Sequence, residues 1–168
     1  MLILDTHTHI YSDDEASYPP VAKPLRPPGN TGSVTNLERV TKANGVTGVC
    51  IVQPSTFYGW DNRFICDTSL QTQRWTAGVC TIDPDDPHSP GLIQHYVKRY
   101  GIRALRSVPA RDRKIDSPAV VALWRACVES GRDSWRSRSR KICSIEDGDL
   151  SSLWLRLAKP MSGGGRAA

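Results

Sequence analysis

The sequence alternates between short apolar segments and segments whose apolar residues recur at helical spacing. The apolar segments have the length of strands and cover residues 2–5, 49–53, 77–82 and 102–108. A helix-like segment follows each of them, over residues 35–44, 62–73, 89–100 and 117–131. Strands this apolar must be covered on both faces, which is typical of a parallel sheet with right-handed helical crossovers. The sequence therefore predicts an α/β fold with about four consecutive βα units.

Polar residues mark the ends expected for these helices. Thr35 and Glu38 form a capping-box pattern, in which both side chains bond backbone amides at a helix start. Ser89 and Ser117 each precede a proline, as expected for an N-cap followed by the first helical residue. Glycines that would end the helices stand at positions 45, 101 and 131.

His7 and His9 stand at the end of the first predicted strand. Residues i and i+2 of a strand project from the same face, so the two imidazoles should lie side by side. Neutral imidazoles suit a divalent metal ion, and α/β enzymes build their sites at strand ends. We therefore predict a metal-binding pair; the alternative is that two polar residues only end the strand. Asp5 should project from the same face of the strand as the two histidines, where its carboxylate could orient a ligand or cap a turn.

Further candidate site residues follow the later strands. Gln53 and Ser55 come after the second strand and Arg106 after the fourth, which in a parallel barrel places all three on one rim. We predict that they bind a small-molecule substrate. The alternatives are an ordinary strand-to-loop transition for Gln53 and Ser55, and a surface arginine for Arg106. Asp61 or Asn62 is expected to cap the next helix.

Composition narrows the class of protein. The chain of 168 residues has 39% hydrophobic and 23% charged residues, which are globular values for a single domain. No run approaches the ~20 apolar residues of a membrane span, and no signal peptide is recognisable, so we expect a cytoplasmic protein.

The cysteines lack metal-knuckle spacing and are expected to be reduced thiols: Cys50, Cys66, Cys80, Cys127 and Cys143.

The net charge of +5 is concentrated near the C-terminus. From Gly131 onward there are eight Lys and Arg residues against four acids, and the strand and helix periodicity stops. A fifth strand is due there, but five charges in residues 133–141 do not fit a barrel interior. We predict an irregular or disordered basic tail over residues 132–168. It has too few aromatic residues to favour nucleic acid as a partner.

Several motifs in order resemble one enzyme family. Asp5-Thr6-His7-Thr8-His9 resembles the D-x-H-x-H signature of the amidohydrolase superfamily. Further motifs are similar to its amidohydrolase-related branch of lactonases and decarboxylases: Val52-Gln53-Pro54-Ser55, Gly59-Trp60-Asp61-Asn62, Asp83-Pro84-Asp85 and Gly101-Ile102-Arg103-Ala104-Leu105-Arg106. The resemblance covers residues 1–131 and implies the N-terminal half of a TIM-like (β/α) barrel of about 250–300 residues.

The resemblance also implies a site. His7 and His9 look like the strand-one pair that binds zinc or manganese in metal-dependent members and lines the pocket in metal-independent lactonases. Arg106, or Arg103 in the other strand phase, looks like the arginine that holds a substrate carboxylate, for which a planar guanidinium is suited. The family's later histidines and its strand-eight aspartate, the expected general base, have no counterpart here. The catalytic residue is therefore unknown and the metal site incomplete, since a catalytic zinc needs three protein ligands.

These observations support two functions of different classes. The first is a hydrolase of the amidohydrolase-related family, lactonase-like, acting on a carboxylated or sugar-derived lactone and impaired by truncation. The second is a non-catalytic half-barrel that associates with itself through exposed strand edges. For the tail, two origins stay open: translation in a shifted reading frame, or a divergent short relative.

Overall fold

The computed structural model describes the backbone of residues 1–136 and the side chains of residues 1–131. The strands are β1 (Leu4–Thr8), β2 (Gly48–Val52), β3 (Thr76–Cys80) and β4 (Ala104–Leu105). The helices are α1 (Val34–Ala43), α2 (Ser55–Tyr58), α3 (Arg63–Thr72), α4 (Ser89–Tyr100) and α5 (Pro118–Arg136). None of these described helices has both the length and the apolar character that crossing a membrane requires.

The four strands form one sheet in the order β1-β2-β3-β4, and every neighbouring pair is parallel. Sequential parallel neighbours joined by helices are the βα units expected from the alternating sequence pattern. The predicted α/β class is confirmed. Because all the strands run the same way, their carboxyl ends lie along one edge of the sheet.

The hydrophobic core lies between the sheet and its helices. Val49 and Ile51 of β2 are buried in it, and the helices contribute apolar residues at helical spacing, such as Ile93 of α4 and Leu123 of α5. The opposite face of the sheet carries the alternate residues of each strand, including Cys50 of β2. We call this second face the concave face, because it would line the interior of a barrel.

Two helix starts differ from the sequence prediction. The N-cap of α1 is Ser33, whose Oγ accepts a hydrogen bond from the Asn36 backbone at 3.2 Å, so the predicted Thr35–Glu38 capping box does not form. Ser89 lies inside α4, and its hydroxyl donates to the Asp83 carbonyl at 2.5 Å instead of capping the helix. In the first case Ser33 supplies the capping oxygen in place of Thr35. In the second case the Asp83 carbonyl accepts from the Ser89 hydroxyl, because short polar side chains bond nearby backbone groups.

The predicted end of α5 at Gly131 is wrong, because the helix continues to Arg136. A glycine inside a helix costs only about 1 kcal/mol relative to alanine, and continuing the helix keeps its backbone bonds. The tail predicted from residue 132 therefore begins as helix. Its remainder, residues 137–168, lies outside the described residues.

Helix α2 was not predicted, and it anchors the long proline-rich loop that follows β1. Phe57 and Tyr58 of α2 are buried. The Phe57 carbonyl accepts from the Val21 backbone at 2.8 Å, and the Tyr58 hydroxyl accepts from the Ser12 backbone at 2.8 Å. The loop is thereby held against the end of the sheet that carries the strands' carboxyl ends.

The described cysteines are free and mostly buried. Cys66, Cys80 and Cys127 belong to the core, while Cys50 is half-buried on the concave face. Burial raises the pKa of the Cys66 thiol to about 12 and also raises the pKa of Cys80. These thiols act as small core residues.

Gly78 of β3 provides a test of packing between the sheet and α3. An added Cβ would lie 2.6 Å from Ser69 Oγ and 2.7 Å from Ile102 Cδ1. We expect Gly78→Ala to lower the free energy of unfolding by about 2 kcal/mol through overpacking. Gly91 of α4 has open space around it, so Gly91→Ala should be neutral or stabilise by up to about 1 kcal/mol. Urea denaturation of both variants measures this difference; equal effects would contradict the packing account.

Candidate active-site rim

A β-bulge in β1 sets the phase of the histidine pair. Asp5 lies opposite Val49 and Thr8 lies opposite Ile51, so β1 takes one residue more than β2 over this interval. The Asp5 Oδ1 accepts a hydrogen bond from the His7 backbone at 3.0 Å. The shared face predicted for Asp5 and the histidines is therefore wrong: the bulge breaks strict alternation, and the Asp5 carboxylate caps it.

His7, within the bulge, and His9, just after β1, fall on the concave face. Thr8 is in register with the core-facing Ile51, so its neighbours on either side point the other way. The two imidazole rings pack edge to face with centroids 5.0 Å apart. The imidazoles thus lie side by side at the carboxyl end of β1, as their spacing predicted.

The His9 ring is oriented by the neighbouring strand. Its Nδ1 lies 2.7 Å from the carbonyl oxygen of Val52, the last residue of β2. A carbonyl can only accept, so Nδ1 carries the proton and donates, which leaves the lone pair on Nε2. A fixed ring with a lone pair on Nε2 can ligate a metal or accept a proton.

Arg106 completes a three-residue group at the rim. Its backbone N–H donates to the Cys80 carbonyl at 2.8 Å, which extends the pairing of β3 with β4. Leu105 packs against the core. Because successive strand residues point to opposite faces, the side chain of Arg106 lies on the concave face. The pKa of His7 is lowered, most strongly by burial and then by the positive charges of His9 and Arg106. The charge of Asp5 acts in the opposite direction and raises it. Arg106 is therefore near enough for its charge to act on His7.

The donor set at this rim does not complete a metal centre. Within the described residues, no three His, Cys, Asp or Glu side chains are placed to hold one metal ion. Two imidazoles fall short of the three protein ligands of a catalytic zinc. Arg106 adds positive charge beside them, which disfavours a cation further.

Gln53 and Ser55 lie at the end of β2 but differ in setting. Gln53 is fully buried, and its Nε2 donates to the carbonyls of Gly59 and Asp61 at 2.8 and 3.1 Å. Its Oε1 accepts no hydrogen bond from the described residues. Ser55 is half-buried and begins α2. Gln53 therefore supports the loop after α2, and direct substrate contact by either residue stays a prediction.

Asn62 joins the end of β3 to the start of α3. It is 2% exposed, its Oδ1 accepts from the Thr81 backbone at 2.9 Å, and its Nδ2 donates to the Thr81 and Trp60 carbonyls. The predicted cap at this helix start is made by Asp61, whose Oδ1 accepts from the Arg63 backbone at 2.9 Å. Asn62 stands at the N-cap position without a capping bond from its side chain. Its role depends on a contact 19 residues away, which no local motif reveals.

Comparisons with known proteins agree on the fold. No family model matches the sequence, and no curated protein matches it. The structure is similar to a probable 2-pyrone-4,6-dicarboxylic acid hydrolase from Acinetobacter baumannii with citric acid bound, at a TM-score of 0.61 and 18% identity, over 78% of this chain and 47% of that one. It is also similar to the 5-carboxyvanillate decarboxylase of Sphingomonas paucimobilis, at a TM-score of 0.56 and 16% identity, over 77% of this chain and 50% of that one.

The described residues thus share the fold of about half of each of these two proteins. The resemblance inferred from the motifs is confirmed at the level of fold. The chain spans about half the length of the solved structures it matches.

Proposed function

We propose that the rim formed by His7, His9 and Arg106 is the ligand-binding half of a lactonase-type hydrolase site whose ligand carries a carboxylate. The observation that carries this proposal is that the charge of Arg106 acts on His7, which packs against a His9 ring oriented by the Val52 carbonyl. A guanidinium binds carboxylates through two parallel hydrogen bonds, and partial burial strengthens such bonds.

The names of the two similar structures support the chemical class of the ligand. One protein is named for a pyrone with two carboxylic acids and the other for a carboxylated vanillate. Both names describe a six-membered ring that bears carboxylates. A ring with a carboxylate would reach Arg106 while its reacting carbonyl lies toward His7 and His9.

Lactone hydrolysis requires more than this rim provides. Water must add to the ring carbonyl and lose a proton while the ring C–O bond breaks, which leaves a carboxylate and a hydroxyl. A general base near the water normally accelerates such a step by about 10²–10⁴-fold. The described rim offers imidazole lone pairs but no carboxylate at the position expected from the family. We therefore propose binding with strongly reduced turnover for this chain.

An assay with 2-pyrone-4,6-dicarboxylate tests binding and turnover together. Ring opening is followed by ultraviolet absorbance, and binding by calorimetry, for the wild type, a His7→Ala/His9→Ala double variant and the control His88→Ala, whose site is exposed at the start of α4. We expect saturable binding by the wild type and His88→Ala, weaker binding by the double variant, and ring opening close to the buffer rate.

Two results would change this account. Absence of binding to the dicarboxylate would overturn the proposed function. Rapid ring opening that the double variant loses and His88→Ala keeps would confirm the hydrolase class and contradict the reduced turnover.

A further inference from the structure

The proline-rich segment after β1 is a loop whose two ends meet. We call residues 11–32 the strap. At its neck, the Tyr11 backbone N–H donates to the Gly32 carbonyl at 2.9 Å. The Tyr11 ring also packs against Gly32, where an added Cβ would lie 2.6 Å from Tyr11 Cδ2. A loop that is closed at its neck can move without displacing the elements on either side of it, here β1 and α1.

The strap rests on α2. Three of its backbone N–H groups donate to consecutive residues of this helix: Ser12 to the Tyr58 hydroxyl at 2.8 Å, Val21 to the Phe57 carbonyl at 2.8 Å and Leu25 to the Thr56 carbonyl at 3.1 Å. The Arg26 guanidinium lies 5.4 Å from the centre of the Phe57 ring. Helix α2 begins three residues beyond Val52, whose carbonyl orients His9. The strap is therefore seated next to the rim.

Tyr18 joins the strap to α3. Its hydroxyl donates to Asp67 Oδ2 at 2.9 Å, and its ring contacts Phe64 with centroids 5.0 Å apart. A hydrogen bond to a carboxylate is stronger than one between neutral groups. Tyr18 is therefore a latch that fastens the middle of the strap to the body of the protein.

The strap is held together internally but has few buried contacts. Two N–H groups of Arg26 donate to the two carboxylate oxygens of Glu15, which joins its two halves. Five prolines restrict its backbone: Pro19, Pro20, Pro24, Pro27 and Pro28. No residue of the strap is buried among the described residues, whereas Phe57 and Tyr58 beneath it are. Segments with few buried contacts open at a lower free energy than the whole domain.

We propose that the strap is a lid that detaches from α2 as one body and turns about the neck formed by Tyr11 and Gly32. Opening uncovers Phe57 and Tyr58 and widens the rim next to His9. Lids of this kind admit and enclose the ligands of many enzymes. This inference concerns a motion of the fold and goes beyond the proposed function, because it requires no particular ligand.

Native-state hydrogen exchange of the full chain tests this motion. In the wild type, the protection factors of the Val21 and Leu25 amides should agree within about 3-fold and lie at least about 100-fold below that of Val49 in β2. Tyr18→Phe removes the bond to Asp67. It should lower both protection factors about 10-fold and leave that of Val49 unchanged, because only the latch is lost.

Tyr100→Phe is the matched control, because Tyr100 on α4 is half-buried like Tyr18 and loses the same hydroxyl. It should leave the protection of Val21 and Leu25 unchanged. Wild-type protection of Val21 and Leu25 equal to that of Val49 would overturn the proposal, since the strap would then open only when the domain unfolds. A loss in Tyr18→Phe that is confined to one of the two amides, or an equal loss in Tyr100→Phe, would overturn it as well.

Discussion

An Asn62→Ala variant should have a free energy of unfolding about 3 kcal/mol below that of the wild type. The substitution removes three hydrogen bonds of a side chain that is 2% exposed. It leaves the N–H and the carbonyl of the buried Thr81 without these partners. Each buried polar group that loses its partner costs about 1–3 kcal/mol, because water cannot replace the bond.

Urea denaturation at one fixed protein concentration measures this loss. The matched control is Asn44→Ala at the end of α1, where an exposed side chain donates one bond to the Val40 carbonyl at 2.8 Å. The control should lose less than about 1 kcal/mol. Equal losses in the two variants would show that the bonds from Asn62 to Thr81 do not hold the end of β3 to the start of α3.

An Arg106→Ala variant should bind a dicarboxylated ligand about 10- to 150-fold more weakly than the wild type. A hydrogen bond to a charged group contributes about 1.5–3 kcal/mol, and each 1.4 kcal/mol changes affinity about tenfold. Arg106 should act mainly on binding and little on stability, since it is not part of the hydrophobic core.

Calorimetric titration with 2-pyrone-4,6-dicarboxylate gives the affinities. Arg74→Ala is the control, because Arg74 is exposed just before β3, at the opposite end of the sheet. Arg106→Lys distinguishes charge from geometry: it keeps the charge but loses the planar fork, so it should bind with intermediate affinity. If Arg74→Ala weakens binding as much as Arg106→Ala, the ligand responds to overall charge and not to the rim.

Periodicity along the chain was sufficient to predict the order of the strands and their parallel arrangement. The helices and the strands β2 and β3 were found close to their predicted positions, because apolar spacing records which side of each segment faces the core. β1 begins two residues later than predicted, and β4 covers only Ala104–Leu105 of the predicted residues 102–108. The rim could be predicted for a related reason, since parallel strands bring their carboxyl ends together. The structure places Arg106 on the concave face, because Leu105 packs against the core, while a role for Arg106 in binding stays a prediction.

The features that were missed depend on contacts between distant residues. The bulge of β1 is visible only in its register with β2, and the Asn62 bonds join residues far apart in sequence. Helix α2 is only four residues long, too short for a periodic pattern. The continuation of α5 past Gly131 reflects a small local cost that the rest of the helix offsets.

The most direct test of the rim is a ligand titration in which nitrogen-15 NMR follows the imidazoles of the four histidines. Our account predicts that 2-pyrone-4,6-dicarboxylate shifts the signals of His7 and His9 in a saturable way, while those of His88 and His95 do not move. The Arg106→Ala variant should require a much higher ligand concentration for the same shifts. Equal shifts at all four histidines, or none at His7 and His9 up to saturating ligand, would contradict a carboxylate-binding rim at the ends of β1 and β4.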